Sequence, residues 1–372
     1  VSAGELILAT GIAPAAPASG RVTLYAENDN KLYLRDSSGT AEQVWSGGGN
    51  FFLWRNALIN GSFAIWQRQA DPATATQYSD DAYCADRWYA LTESGPIDAQ
   101  RIDGDTQRYA ARLTQKQATA QQIGLAQIIE GANCRHLRGQ EVTFSVRVRC
   151  SAAKNVSFAV LQWDGGEDSV TSDVVATWAA DPTLITWVTD VTGLGQYRSL
   201  AAGAWADVSA TVTLGSTFTN LIVIVWAEAL SQNTTLDIEA AQLERGGAAT
   251  PFEVRPVGAE LALCQRYFER RGGGSVFEHF AVGFYYDADT AFFAMFYSTK
   301  RASPTITFGP TVGDFEIIGP GLRETATSLS LSYVTPSNVR VNMDTAIQSA
   351  GLLGFFRANG TTAAYIHIDA EL

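Results

Sequence analysis

The chain of 372 residues carries 26 Lys and Arg against 38 Asp and Glu, a formal net charge of −12. Hydrophobic residues make up 46% and charged residues only 17%. This composition excludes extensive disorder and supplies apolar surface for two or three domain cores. The acidic balance excludes a nucleic-acid binder and a docker on anionic lipid, since both need a basic surface.

Residues 1–20 are rich in Ala, Pro and Gly and lack periodicity, which predicts an extended arm. The first basic residue is Arg21, so no positively charged segment precedes an apolar stretch as in a signal peptide, and synthesis in a cytoplasm is expected. Val22, Leu24 and Ala26, then Leu32 and Leu34, alternate around the turn-forming run Glu27–Lys31 and predict a β-hairpin. Ser46–Gly49 closes this segment, 1–50.

The block 51–255 contains many short β-type runs, among them Val142–Val148, Val156–Leu161, Val208–Leu214 and Leu221–Trp226. Turn residues such as Asp164–Gly166 and Asp181–Pro182 separate them. Such spacing predicts a β-sandwich or jelly roll. No apolar run approaches the roughly 18 residues of a membrane span. The longest, Leu221–Leu230, is interrupted by Glu228, so no membrane insertion is expected.

Over 257–271, Leu261, Cys264 and Phe268 recur at helical spacing, with Pro256 before them and Gly272–Gly274 after. This predicts a short helix and a glycine-rich linker over 256–274. Its apolar stripe packs either on the adjacent sandwich or on the same helix of other subunits. The block 275–372 is again β-like, and Phe292–Tyr297 reads as a strand buried on both faces, with a subunit interface as one way to cover it. Cys84, Cys134, Cys150 and Cys264 are far apart, with no C-x-x-C pair, and are expected as buried thiols; a Cys134–Cys150 bridge stays open.

Three segments carry a resemblance. They are Gly20–Gly39 (GRVTLYAENDNKLYLRDSSG), then Asn56–Arg68 (NALINGSFAIWQR) with Ala85–Trp88 (ADRW), and Ala241–Arg270 with its runs QLE, ATPFE and ELALCQRY. Together and in this order they resemble bacteriophage tail-fibre and receptor-binding virion proteins with a carbohydrate-binding-module-like jelly roll. The resemblance covers about 20–270. With the β-like runs of 275–372 it implies an all-β chain: an N-terminal β-hairpin attachment segment (1–50), a central jelly-roll β-sandwich (51–255), the linker helix and, from those runs, a C-terminal β-sandwich-like distal domain. It also implies a homotrimer on the surface of a phage or gene-transfer particle, joined to other virion proteins through 1–50 and binding host surface polysaccharide. Tail fibre and head spike stay equally open.

Jelly rolls of this kind often hold a structural calcium between the first and last strands. The matching positions are Asn60 and Ser62, with Asp237 or Glu239 near the end; Ser62 stands where many such chains carry Asp. No other cofactor is expected. Glycan binding uses aromatic platforms with polar groups beside them. Trp163 with Asp164 ends a strand and opens a polar loop, and Trp178, Trp187 and Trp205 lie in other loop-rich segments. Tyr285, Tyr286 and Asp287 form an aromatic–acidic strand end. Binding and packing are both open for Trp163 and Tyr286, whereas Trp66, Trp88 and Trp226 are expected in the core.

Glycoside hydrolysis would need two facing carboxylates. Asp80/Asp81, Glu167/Asp168 and Asp287/Asp289 are adjacent pairs in turn-like surroundings, so a binding protein is expected rather than an enzyme. The three histidines, His136, His279 and His367, sit in no triad context. A polysaccharide-degrading spike and a passive fibre connector are the alternatives.

Overall fold

The computed structural model describes residues 10–11, 13–19, 21–27, 31–46, 54–179, 182–186, 188–192, 196–287, 289–345 and 351–372. The architecture is all-β, with two short α-helices, Gly131–Cys134 and Val257–Gln265. No helix of the described residues is long and apolar enough to cross a membrane.

Near the N-terminus, Thr23–Glu27 and Lys31–Arg35 pair antiparallel, with Leu24 opposite Leu34 and Tyr25 opposite Tyr33. The two tyrosine rings stack at 5.5 Å. The hairpin is therefore present, and it is larger than expected. Ala41–Ser46 adds a third strand, and Thr10–Gly11 runs parallel beside Ala26–Glu27. The glycines of 47–49 lie outside the described residues.

The central domain is a sandwich of two six-stranded sheets. One runs in the order Trp205–Thr213, Glu141–Cys150, Thr235–Arg245, Tyr109–Gln115, Ile97–Asp103, Thr76–Tyr78. The other has Lys154–Trp163, Asn220–Leu230, Gln121–Ile129 and Tyr89–Thr92 as consecutive neighbours, with Val188–Asp190 and Tyr197–Leu200 on the outer edge of Lys154–Trp163. Along Glu141–Cys150 the side chains alternate. Val142, Phe144, Val146 and Val148 enter the core, while Arg147 and Arg149 face outward to acidic partners. Asn220–Leu230 does not alternate, because both of its faces are covered. On the outer side Ile222, Ile224 and Trp226 pack under Trp163, Val170, Val174 and Val175 from the excursion after Lys154–Trp163, with Leu372 against the same cluster.

The second and third segments behind the resemblance meet in one place. The Asn56 amide donates to the Ala241 carbonyl and accepts from the amides of Leu58 and Leu243. Gly61 lies so close to the last strand that a Cβ there would fall 2.1 Å from the Ala241 oxygen. Asn60 bonds Ile65 at both its amide and its carbonyl, and also the Asp86 carbonyl; Trp88 Nε1 donates to the Asn60 carbonyl. Glu253 accepts from the amides of Trp54, Arg55 and Asn56, and Arg255 reaches Leu58, Asn56 and Glu260. These residues fasten the first segment of the sandwich to its last strand and to the helix.

The helix ends at Gln265, earlier than the spacing suggests. Phe268 does not continue its stripe. It opens the strand Phe268–Gly272, which pairs with Tyr365–Asp369, and the latter pairs on its far side with Thr305–Gly309. The pull of that unfilled sheet edge outweighs the helical periodicity. Gly272 and Gly273, at φ +81 and +83, turn the chain at the end of the strand Phe268–Gly272. Within the chain, Cys264 of the helix packs with Ile59, Ile65 and Tyr267, and Leu261 and Leu263 lie against the same cluster.

The distal domain sets this three-stranded sheet against a seven-stranded one, ordered Leu322–Thr325, Phe315–Gly319, Leu353–Ala358, His279–Tyr285, Thr290–Phe296, Asn338–Asp344, Ser328–Ser332. Phe280, Phe293, Met295 and Phe356 share its core with Ile366 and Ile368. The end of the chain returns to the jelly roll. Arg68 and Arg87 bind Glu371, and Tyr83 donates to the Leu372 carbonyl.

Candidate functional site

Within one chain the strand Thr290–Phe296 is covered on a single side. Only one face is buried: Ala291, Phe293 and Met295 point inward, while Phe292, Ala294 and Phe296 point out. The seven-stranded sheet thus has an apolar outer face. Register places Phe284 beside Phe292 and Val282 beside Ala294. On the other side, Phe292 faces Asn342, Ala294 faces Arg340 and Phe296 faces Asn338. One more strand over, Ser330 lies beside Asn342 and Ser332 beside Arg340. An aromatic row therefore runs along a polar rail of Asn, Arg and Ser.

Between them lies a groove of about 430 Å³, lined by Val282, Phe284, Phe292, Phe296, Tyr333 and Arg340, with Asn338. Phe296 is 65% exposed and Tyr333 75%, so their rings are open to a ligand. Phe292 is braced: the Tyr286 ring stacks on it at 4.6 Å, and the Arg340 guanidinium sits 4.2 Å from its centre. The same guanidinium lies 4.8 Å from the Tyr333 ring. Arg340 Nε donates to Asn342 Oδ1, and Asn342 Nδ2 donates to the Ser330 and Ser332 hydroxyls. The rail is fixed before any ligand arrives, which lowers the ordering cost of binding.

The aromatics singled out by sequence divide as follows. Tyr286 is exposed and borders the groove through Phe292. Tyr285, its neighbour, points the other way and is fully buried. Trp163 is core, its Nε1 donating to the Gly166 carbonyl. It covers the outer face of the second sandwich sheet, and Trp178 packs against the same cluster. Asp164 is exposed and accepts from Thr189. Trp187 lies outside the described residues. Trp205 is half-buried on the outer face of the first sheet, with Arg149 4.6 Å from its ring. Asp287 is exposed, and its carboxylate accepts from the amides of Asp289 and Thr290 as a turn cap. Sequence reasoning missed Phe296, Tyr333 and Arg340. The alternation of Phe292, Ala294 and Phe296 was the available signal, hidden by the equally apolar inward set.

The residues matched to calcium have other partners. Asp237 takes both Arg112 and Arg149 on its two oxygens. Glu239 accepts from the amides of Asp105 and Thr106 and from the Thr106 hydroxyl. Asn60 is consumed in its turn, and Ser62 is half-buried. These donor sets do not fit a hard cation, which needs several free oxygens. Among the described residues no group of three or more His, Cys, Asp and Glu could hold a metal ion.

The adjacent carboxylates are likewise engaged. Glu167 pairs with Arg135, and Asp168 accepts from Gly131 and Asn220. Asp80 accepts from the Thr92 amide. Asp81, at φ +63, has a buried Oδ1 without a partner. Burial, then the charges of Asp80 and Asp173, push its carboxyl up to about 7. All four cysteines are free and buried, without the bridge left open above. Burial pushes the Cys84 and Cys134 thiols up to about 12, so they are inert. His367 packs between Tyr365 and Phe268, and burial, then Arg270 and Arg68, lower it to about 4.

No protein-family model matches this sequence, and no curated protein matches it. Solved structures with a similar β-architecture include carbohydrate-binding modules and a phage tailspike domain. The xylanase 10B modules of Clostridium thermocellum, complexed with xylohexaose, are 14% identical over 48% of this chain and 29% of that one, with a TM-score of 0.30. The xylan-binding domain of Paenibacillus barcinonensis is 13% identical over 49% of this chain and all of its own length, with a TM-score of 0.29. The enzymatically active domain of bacteriophage CBA120 tailspike protein 4 is 9% identical over 52% of this chain and 22% of that one, with a TM-score of 0.28. The chain thus spans less than a third of the first of these structures.

Proposed function

We propose that this chain is a glycan-binding fibre or spike protein of a phage-like particle, and that the outer groove of its distal sheet is the binding surface. The observation that carries the reading is the exposed aromatic row beside a pre-bonded polar rail. Phe296 and Tyr333 offer faces on which a sugar ring stacks. Asn338 and Arg340 line the groove with polar groups for hydroxyls, and Asn342 holds Arg340 in place. The sandwich serves as a stalk domain, since the outer face of its second sheet is already covered by its own chain. The sequence motifs support the particle role. In that role residues 1–50 dock on other virion proteins, the chain assembles as a homotrimer on the virion surface, and adsorption to host polysaccharide is summed over many weak sites without catalysis.

The test is retention of the purified chain on surface polysaccharide of the cells the particle attaches to, in a native gel cast with that polymer. Retardation lost in Phe296→Ala and kept in Trp205→Ala is expected. Retardation unaffected by Phe296→Ala contradicts the site. Release of reducing sugar from the polymer would replace the binding reading with the enzymatic one.

A further inference from the structure

The basic residues of the distal block single out one cation. Residues 272–372 contain five Lys and Arg against nine Asp and Glu. Lys300 pairs with Glu269, Arg323 and Arg357 share Glu316, and Arg301 donates to the carbonyls of Ala370 and Glu371. Arg340 alone among them has neither a carboxylate nor a backbone carbonyl partner among the described residues. Its Nε is taken by Asn342, which fixes the plane of the guanidinium, and the Phe292 and Tyr333 rings hold it on the groove wall. Both terminal nitrogens are left for a ligand. The nearest acid along its strand, Asp344, is occupied by Thr290 and Ser328.

A planar guanidinium presents a donor pair that matches a carboxylate in two parallel bonds. Neutral hydroxyls need no such fork, and a purely neutral sugar would leave its charge unused. We infer that the groove takes an acidic polysaccharide: Arg340 pairs with the carboxylate of a uronic-acid-type residue whose ring stacks against Phe296 and Tyr333. The inference rests on the glycan reading of this groove and names the ligand class. The protein's net charge of −12 opposes a polyanion only at long range. At physiological salt the screening length is about 8 Å, so the direct pair with Arg340 decides.

The experiment titrates the full chain with polygalacturonate, alginate and hyaluronate, each against its carboxyl-reduced neutral form. Tighter binding of at least one acidic form by about tenfold is expected, as for a charge-assisted bond. Arg340→Gln is expected to abolish that difference, and Arg340→Lys to restore only part of it. Equal binding of acidic and reduced forms, or a preference that survives Arg340→Gln, overturns the inference. If the reduced forms still bind and Phe296→Ala weakens them, the glycan reading stands without the acidic preference. If no form of any polymer binds and Phe296→Ala instead dissolves a self-associated oligomer, the face belongs to a second copy and both readings fall.

Discussion

At the scale of single residues, the side chains that carry the sequence motifs of the jelly roll perform structural work. Asn56 satisfies two amides and one carbonyl in the buried seam between the first segment and the last sandwich strand. Asn56→Ala strands all three, at about 1–3 kcal/mol for each buried unsatisfied group. A loss of about 3 kcal/mol in urea unfolding is expected, with glycan binding per folded molecule unchanged. Asp81 makes the opposite kind of prediction. Its carboxyl is raised to about 7, so between about pH 4 and 7 the folded chain binds a proton that the unfolded chain has released. The stability linked to this proton is complete below the unfolded value and is lost as pH rises through 7. Asp81→Asn should flatten that decline and stabilise the chain at pH 8. A variant with the same pH–stability slope as the parent would show that Asp81 ionises without strain.

At the scale of elements, two aromatic strands contrast. Trp163 lies at the end of a strand whose outer face the chain covers itself, and Phe296 lies at the end of a strand whose outer face is open. Trp163→Ala should cost about 3–5 kcal/mol, the usual loss for a buried large aromatic, and leave binding per folded molecule intact. Phe296→Ala should change stability by less than about 0.5 kcal/mol and remove binding. Thermal unfolding beside a gel-retardation assay separates the two. The same contrast explains what the sequence revealed. Alternation in Val142–Val148 and the Glu27–Lys31 turn region announced a sandwich and a hairpin, because each is a local pattern. The end of the helix at Gln265 was hidden, since it is set by a strand partner about a hundred residues later, at Tyr365–Asp369. What covers the outward set of Phe292–Tyr297 was hidden for a related reason. An apolar outward set looks the same in sequence whether another layer covers it or solvent does. Trp163 and Tyr285 looked like platforms because strand-end aromatics are ambiguous until the covering excursion and the inward pleat are seen.

At the scale of the whole molecule, the acidic, weakly charged composition fits the proposed role, in which non-specific adhesion is avoided and one groove binds the ligand. The sandwich packs Trp88, Phe144 and Phe158 between its sheets and Trp163 and Trp226 beneath its own excursion. The distal domain instead leaves a row of aromatic rings open beside Arg340. Ion pairs from Arg68 and Arg87 to Glu371 tie the two domains together, so the groove is presented from a fixed support. The central claim is that glycan is bound at this groove and not on the sandwich. Hydroxyl-radical footprinting of the full chain, with and without a bound acidic polysaccharide, tests it most directly. Protection of Phe284, Phe296 and Tyr333, with Trp205 unchanged, is the predicted result. Protection of Trp205 with the three distal rings still fully oxidised would contradict it.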